Sequence, residues 1–221
     1  MKLYSIQRTN DISVIGFYPQ TERTKQKGYH IDDYNSERNI NPDSFPDFTP
    51  KYGLDLNLKS NETDVIDSGN LGFGLVVSER LKKILEEFKL PLSKFYAIDV
   101  YNSKTKYYWF HYITNITEYI DYPNTEIELY KNRPPFVVEE LTSYDSFSEL
   151  MTSKKSLPYN LGMRYKSIHL KSTFPNYDCF EITGAQYFTL LSFELRERLA
   201  KENITGLEYS EYNKVSLTPT L

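Results

Sequence analysis

Apolar and polar positions alternate along much of this chain, and in two places the pattern changes from a strand period to a helix period across a serine. The first place reads Val76-Val77-Ser78-Glu79-Arg80-Leu81-Lys82-Lys83-Ile84-Leu85, with Leu90 and Phe95 beyond it. The second reads Leu190-Leu191-Ser192-Phe193-Glu194-Leu195-Arg196-Glu197-Arg198-Leu199, with Ile204 and Tyr209 beyond it. A constant offset of 114 aligns Ser78 with Ser192, Leu81 with Leu195, Leu85 with Leu199 and Phe95 with Tyr209. Each copy predicts an apolar strand end, a serine cap for the orphan amides of a helix, a short amphipathic helix and a return strand. Pro91 stops the first helix. Arg198 stands where the first copy has Ile84, so the second helix is expected to be less deeply buried.

Between and around these copies the pattern is mostly that of strands. Leu3-Tyr4-Ser5-Ile6 is a short strand candidate, and Leu54, Leu56 and Leu58 alternate with Asp55 and Asn57. Asp67-Ser68-Gly69-Asn70 is a turn signal. Phe95 to Asn102 and Lys106 to Thr117 predict a hairpin through Asn102-Ser103-Lys104-Thr105. In the second of these runs Tyr107, Trp109, His111 and Ile113 share one face, and Tyr108, Phe110 and Tyr112 the other. Both faces are apolar, which predicts a central strand covered on both sides. Glu126 to Tyr130, Phe136 to Leu141, Arg164 to Lys171 and Cys179 to Thr183 complete the strands, with a helix capped by Ser143 running through Met151. The alternation after Arg164 puts Tyr165, Ser167 and His169 on one face. The fold class expected is α+β, strand-rich, with mixed or antiparallel sheet and two or three short amphipathic helices. Residues 1–65 are expected to form an irregular N-terminal region, Pro-punctuated at Pro42, Pro46 and Pro50, packed on an α+β body of residues 66–221. That body is either one compact unit or two lobes divided near residue 141.

Composition narrows the function classes. The chain has 221 residues, a formal net charge of -4 and 20 tyrosines. A mildly acidic chain lacks the basic face that backbone contacts to DNA or RNA require. Tyrosine in such numbers suits both strands and recognition surfaces. One cysteine, Cys179, excludes an internal disulfide and fits a reducing compartment. Met1 to Gln7 lacks the apolar core of a signal peptide, and no apolar run reaches the length of a membrane span. A cytoplasmic location is therefore expected.

The residues that carry chemistry do not form a familiar constellation. His30, His111 and His169 have no metal-ligand spacing to each other or to Cys179. Asp178 and Glu181 flank Cys179 and oppose thiolate formation. Gly72-Phe73-Gly74 leads into a strand and lacks the third glycine of a dinucleotide fingerprint. Asp32-Asp33, Glu86-Glu87 and Glu139-Glu140 are adjacent pairs, whose side chains diverge. No catalytic, cofactor-binding or metal-ligating residue is assigned on this basis.

The two serine-capped segments resemble the family numbered eleven among the predicted immunity proteins of bacterial polymorphic toxin systems, formerly a domain of unknown function. The likeness runs from Gly69 to Tyr212. It is carried by Val76 to Glu86, by Asp178-Cys179-Phe180-Glu181-Ile182, by Leu191 to Leu199 and by Ile204-Thr205-Gly206-Leu207-Glu208-Tyr209. The resemblance implies a non-enzymatic cytosolic protein that binds and blocks a cognate toxin, with no catalytic residue to carry over. An acidic, tyrosine-rich surface would suit a basic nuclease toxin. Tyr29, Tyr34 and Tyr52, in the irregular N-terminal region, are the candidate anchors. Two other classes stay open: an enzyme or small-ligand binder with a site near His169, Tyr165 and Cys179, and a self-associating structural domain.

Overall fold

The computed structural model describes residues 1–69, 71–113 and 116–217. Asn70, at the end of the expected turn, and Thr114, in the second run of the expected hairpin, lie outside them. The strands are β1 (Leu3–Arg8), β2 (Thr21–Arg23), β3 (Gly53–Leu56), β4 (Val65–Ile66), β5 (Leu75–Ser78), β6 (Leu92–Tyr101), β7 (Tyr107–Ile113), β8 (Glu126–Lys131), β9 (Val138–Thr142), β10 (Leu161–Leu170), β11 (Cys179–Ile182), β12 (Phe188–Ser192), β13 (Leu207–Tyr212) and β14 (Val215–Leu217). The α-helices are α1 (Ile12–Ile15), α2 (Glu79–Leu85), α3 (Phe147–Ser156) and α4 (Phe193–Lys201). Three sheets result, ordered β11-β12-β1-β13, β14-β10-β8-β9 and β2-β3-β6-β7-β5-β4. The class is α+β, with mixed and antiparallel sheets and short helices.

The chain divides into two compact units, each discontinuous in sequence. One holds the described residues within Met1–Ser5, Asn115–Phe193 and Ser210–Leu221. The other holds those within Ile6–Thr114 and Glu194–Tyr209. In the second unit β7 is an inner strand of the six-stranded sheet. It pairs with β6 on one side and β5 on the other, both antiparallel. Two-sided burial explains its two apolar faces, and Trp109, Phe110 and His111 are wholly buried. The core of this unit gathers Ile40, Tyr52, Leu54, Ile66, Val76, Ile98, Tyr107 and Trp109. The core of the first unit gathers Leu3, Ile127, Leu150, Met163, Tyr165, Ile168, Leu170, Phe180 and Leu190. Residues 1–65 carry β1, α1, β2, β3 and the start of β4.

The two serine-centred copies match in register as well as in sequence. Val65 pairs with Val77 and Ile66 with Val76; Cys179 pairs with Leu191 and Phe180 with Leu190, at the same offset of 114. Ser78 N–H donates to the Asp64 carbonyl at 2.7 Å, and Ser192 N–H to the Asp178 carbonyl at 2.9 Å. Their hydroxyls donate to the same aspartates, at 2.8 and 2.7 Å. The first residue after each serine also repeats its bond. Glu79 N–H donates to the Lys106 carbonyl just before β7, and Phe193 N–H to the Lys2 carbonyl just before β1. The strand orders β4-β5-β7-β6 and β11-β12-β1-β13 then correspond one to one. The place β7 takes in the first copy is filled in the second by the N-terminal strand β1. The Asp64–Ser78 and Asp178–Ser192 pairs are the part of this repeat that strand and helix periods do not reveal.

The helices differ as their sequences demand. Leu81, Ile84 and Leu85 are buried on α2, but on α4 only Leu195 and Leu199 are. Arg198 is half-buried and reaches Glu87 at 3.3 Å and Glu202 at 3.5 Å. The third helix begins later than the sequence suggests. Its cap is Ser146, not Ser143, and it ends at Ser156. Ser146 Oγ accepts from Glu149 N–H at 3.2 Å, while the Glu149 carboxylate accepts from Asp145 N–H at 2.7 Å. This reciprocal pairing satisfies two amides at once, which a cap at Ser143 could not do with Ser146 three residues on.

Asp64 is a heavily bonded carboxylate. It accepts from the Ser78 hydroxyl, from Arg80 at 2.5 Å, and from the Thr205 amide at 3.0 Å and hydroxyl at 3.2 Å. Burial alone would raise its pKa, but Arg80, the Thr205 amide and Ser78 together outweigh burial and hold it below the usual carboxylate range. Stability from a lowered pKa is present above the unfolded value and is lost as pH falls through the folded one. Asp64→Asn is therefore expected to lose about 2 kcal/mol at pH 7. This is below the loss for a fully buried pair because Arg80 is half exposed. The deficit should shrink towards pH 3, as urea unfolding of both proteins at the two pH values would show. An equal deficit at both would remove the carboxylate's charge from the account.

Candidate partner-binding surface

Strand β8 has two faces with different fates. Ile127 and Leu129 point into the core of their unit, beside Met163 and Tyr165 of β10. Glu128 and Tyr130, one residue out of phase, form the other face with Arg164 and Gly162. On the far side of β8, Tyr130 pairs with Val138 and Glu128 with Leu141. An extra residue, Glu139, interrupts β9 at this point, which brings Val138 and Leu141 to the same outer face although they are three apart in sequence.

The centre of this face is Tyr130, and its ring is fixed from three directions. A Cβ at Gly162 would lie 2.5 Å from the ring, so glycine is what lets Tyr130 lie across β10. The Arg164 guanidinium stands 4.8 Å from the ring centroid, and Arg164 Nε donates to Glu128 at 2.6 Å. Phe136 approaches edge-on at 6.4 Å. Phe136 itself has φ of 51°, a left-handed conformation rare for a bulky side chain, and its N–H donates to the Arg133 carbonyl at 2.8 Å. Such strain costs about 1–3 kcal/mol and clusters at functional sites. Phe136 is 48% exposed, Val138 39% and Leu141 49%, with Val137 beside them. Tyr159, 88% exposed, lies one residue from Asn160, whose carbonyl accepts from Asn132 N–H at the base of the hairpin tip. Exposed apolar side chains concentrated in this way mark interaction surfaces, and Tyr with Arg is the pairing that dominates binding hot spots.

The sequence candidates lie elsewhere. Tyr34 is 70% exposed. Its hydroxyl donates to Asp47 at 3.1 Å, which raises its pKa, and its ring meets Phe48 edge-on. Tyr29 is half-buried, bonded to Asp99 and edge-on to Tyr101, and burial first, then Asp99, raises its pKa. Tyr52 is a core residue whose hydroxyl donates to the Ser68 carbonyl, so its ring has no surface to offer a partner. Its place on the inward side of the strand-leading segment beside Gly53 decided this.

The cluster imagined around His169, Tyr165 and Cys179 does not assemble. A β-bulge passes over Lys166, so the register runs from Tyr165–Ile127 to Ser167–Glu126. That shift puts Ile168 and Leu170 on the core face with Tyr165, and turns His169 to the opposite face. The Tyr165 hydroxyl donates to the Thr183 carbonyl at 2.7 Å, and burial pushes its pKa up to about 12. His169 Nδ1 lies 3.2 Å from the Ser216 hydroxyl across the sheet. Cys179 is buried in another sheet, and burial, with Glu181 and Asp178, pushes its thiol well above the usual range. His111, on an inner strand, is wholly buried. Its ring stacks on Trp109 at 4.8 Å, Nε2 lies 3.1 Å from the Pro42 carbonyl, and burial lowers its pKa. Among the described residues, no three His, Cys, Asp or Glu side chains gather as a metal site. No helix among them is long and apolar enough to cross a membrane.

A model of the immunity protein family Imm11 matches residues 4–214. The chain belongs to that family. The Imm11 match starts at residue 4, well before Gly69, so the N-terminal segment is family sequence and the likeness is not confined to the two serine-capped copies. A search of curated proteins returns no match. The platform around Tyr130 therefore sits inside the Imm11 match, on strands that the serine-capped repeat does not include. Sequence reasoning passed over it because Tyr130, Gly162 and Arg164 are far apart in the chain. The one local signal was Phe136-Val137-Val138, an apolar run just after Pro134-Pro135.

Proposed function

We propose that this chain neutralises a toxin encoded beside it, by binding the toxin and covering its active surface without chemistry of its own. The family match supports a toxin-directed role. The observation that carries the binding mode is the face built on Tyr130, in which Gly162 and Arg164 fix the ring and Phe136, Val138 and Leu141 stand exposed around it. A ring held in place loses little freedom on binding, so its contact area converts well into affinity. The acidic balance of the chain favours a basic toxin such as a nuclease domain, through faster electrostatic encounter. Tyr34, exposed beside Asp47, is a separate candidate anchor for the same kind of partner. The work would take place in the cytoplasm.

Co-expression with the product of the adjacent toxin gene tests the reading. The wild-type chain should restore growth to cells making that toxin and should co-purify with it. Growth arrest unchanged by the chain, with no complex recovered, would remove the immunity role.

A further inference from the structure

The edge of the β14-β10-β8-β9 sheet points to how the partner is held. Strand β9 is the last strand of that sheet, and its side chains from Val138 to Leu141 are all exposed. Terminal strands present unpaired N–H and C=O groups, and folded proteins usually blunt them with lysine, proline or a covering segment. Here the strand has no proline or lysine, only Glu139 and Glu140. Glu139 reaches Lys131 at 3.0 Å. Glu140 pairs across the ladder with Leu129 and, among the described residues, has no ion-pair partner. A second copy of the chain would bring glutamates against glutamates, which repel. A basic segment would be attracted.

We infer that β9 accepts an extended segment of the toxin as an added strand, and that this segment alternates apolar residues with lysine or arginine. This rests on the immunity reading above. In the added strand, apolar side chains extend the outer face made by Val138, Leu141 and Tyr130, and a basic side chain lies against Glu140 on the other face. Backbone pairing gives affinity that does not depend on side chains; the Glu140 contact and the apolar face choose the partner.

Amide hydrogen exchange on the full chain, alone and with the toxin domain of the adjacent gene, reads the inference directly. Within residues 138–142, the amides that face the open edge rather than β8 should exchange freely in the chain alone and slowly in the complex. A peptide of about ten residues alternating valine and lysine should slow the same amides, and its glutamate counterpart should not. Glu140→Lys should weaken toxin binding about tenfold while leaving thermal unfolding unchanged. A stable complex in which residues 138–142 exchange as before overturns strand addition and leaves the immunity role standing. Protection by the lysine peptide without any toxin complex does the reverse. A dimer of the chain alone by light scattering, with these amides already protected, assigns the edge to a second copy and overturns the inference.

Discussion

Gly206→Ala is expected to cost about 3 kcal/mol of folding free energy. Gly206 has φ of 93°, where an L side chain is strained by about 1 kcal/mol. A Cβ there would also lie 2.1 Å from the Val65 carbonyl oxygen, and backbone atoms cannot swing aside as a side chain does. The contact is tight because two backbones meet at this point. Val65 N–H donates to the Thr205 carbonyl, Thr9 N–H donates to the Gly206 carbonyl, and Thr205 holds Asp64. Relief of the clash must pull on all three, at about 1–3 kcal/mol for overpacking of this kind. Gly72 is the control, since a Cβ there meets nothing within 4 Å. Urea unfolding of Gly206→Ala and Gly72→Ala should separate them clearly, with the second within about 0.5 kcal/mol of wild type. Equal stabilities would mean that the Thr205–Gly206 segment does not lie against Val65.

Val138→Asp with Leu141→Asp is expected to abolish neutralisation while leaving the fold intact. Both side chains are well exposed in the unbound chain, so two carboxylates there should change stability by less than about 1 kcal/mol. In a complex they would be desolvated against apolar toxin surface, beside Glu128 and Glu139, and each would oppose binding. Loss of two anchors at a hot spot corresponds to at least about 100-fold weaker binding. Titration calorimetry with the adjacent toxin domain and growth rescue in co-expressing cells would read the effect. Full neutralisation by the double variant, with wild-type unfolding, would move the binding face away from β9 and towards other exposed anchors such as Tyr34.

Much of the fold could be read from the chain, but the candidate surface could not. Two apolar faces on Tyr107–Ile113 announce an inner strand, because only a strand covered on both sides can bury both. Serine followed by a helix-period pattern announces a cap, because the hydroxyl satisfies amides within three residues. The Tyr130 platform lacks any such local signature. Tyr130, Leu141 and Arg164 meet only because β8 pairs with both β9 and β10, and Gly162 matters only because Tyr130 is paired across from it. His169 shows the opposite error, since strict alternation put it beside Tyr165 until one bulged residue turned it over.

The serine-centred unit and its second appearance 114 residues later, the strand-rich class and the likeness to an immunity family are legible in the chain alone, whereas the first helix ends at Leu85, well before the stop expected at Pro91. The legible features are written in neighbouring residues, where period and caps act within one or two turns of chain. Tertiary structure decided that β1, from the far end of the chain, completes the second copy in the place that β7 fills in the first. It buried Tyr52, and it left Phe136, Val138 and Leu141 exposed around a fixed Tyr130. Those outcomes depend on which distant strands pair and in what register. One residue of slip or bulge there exchanges the core face for the surface, and the local pattern does not encode it.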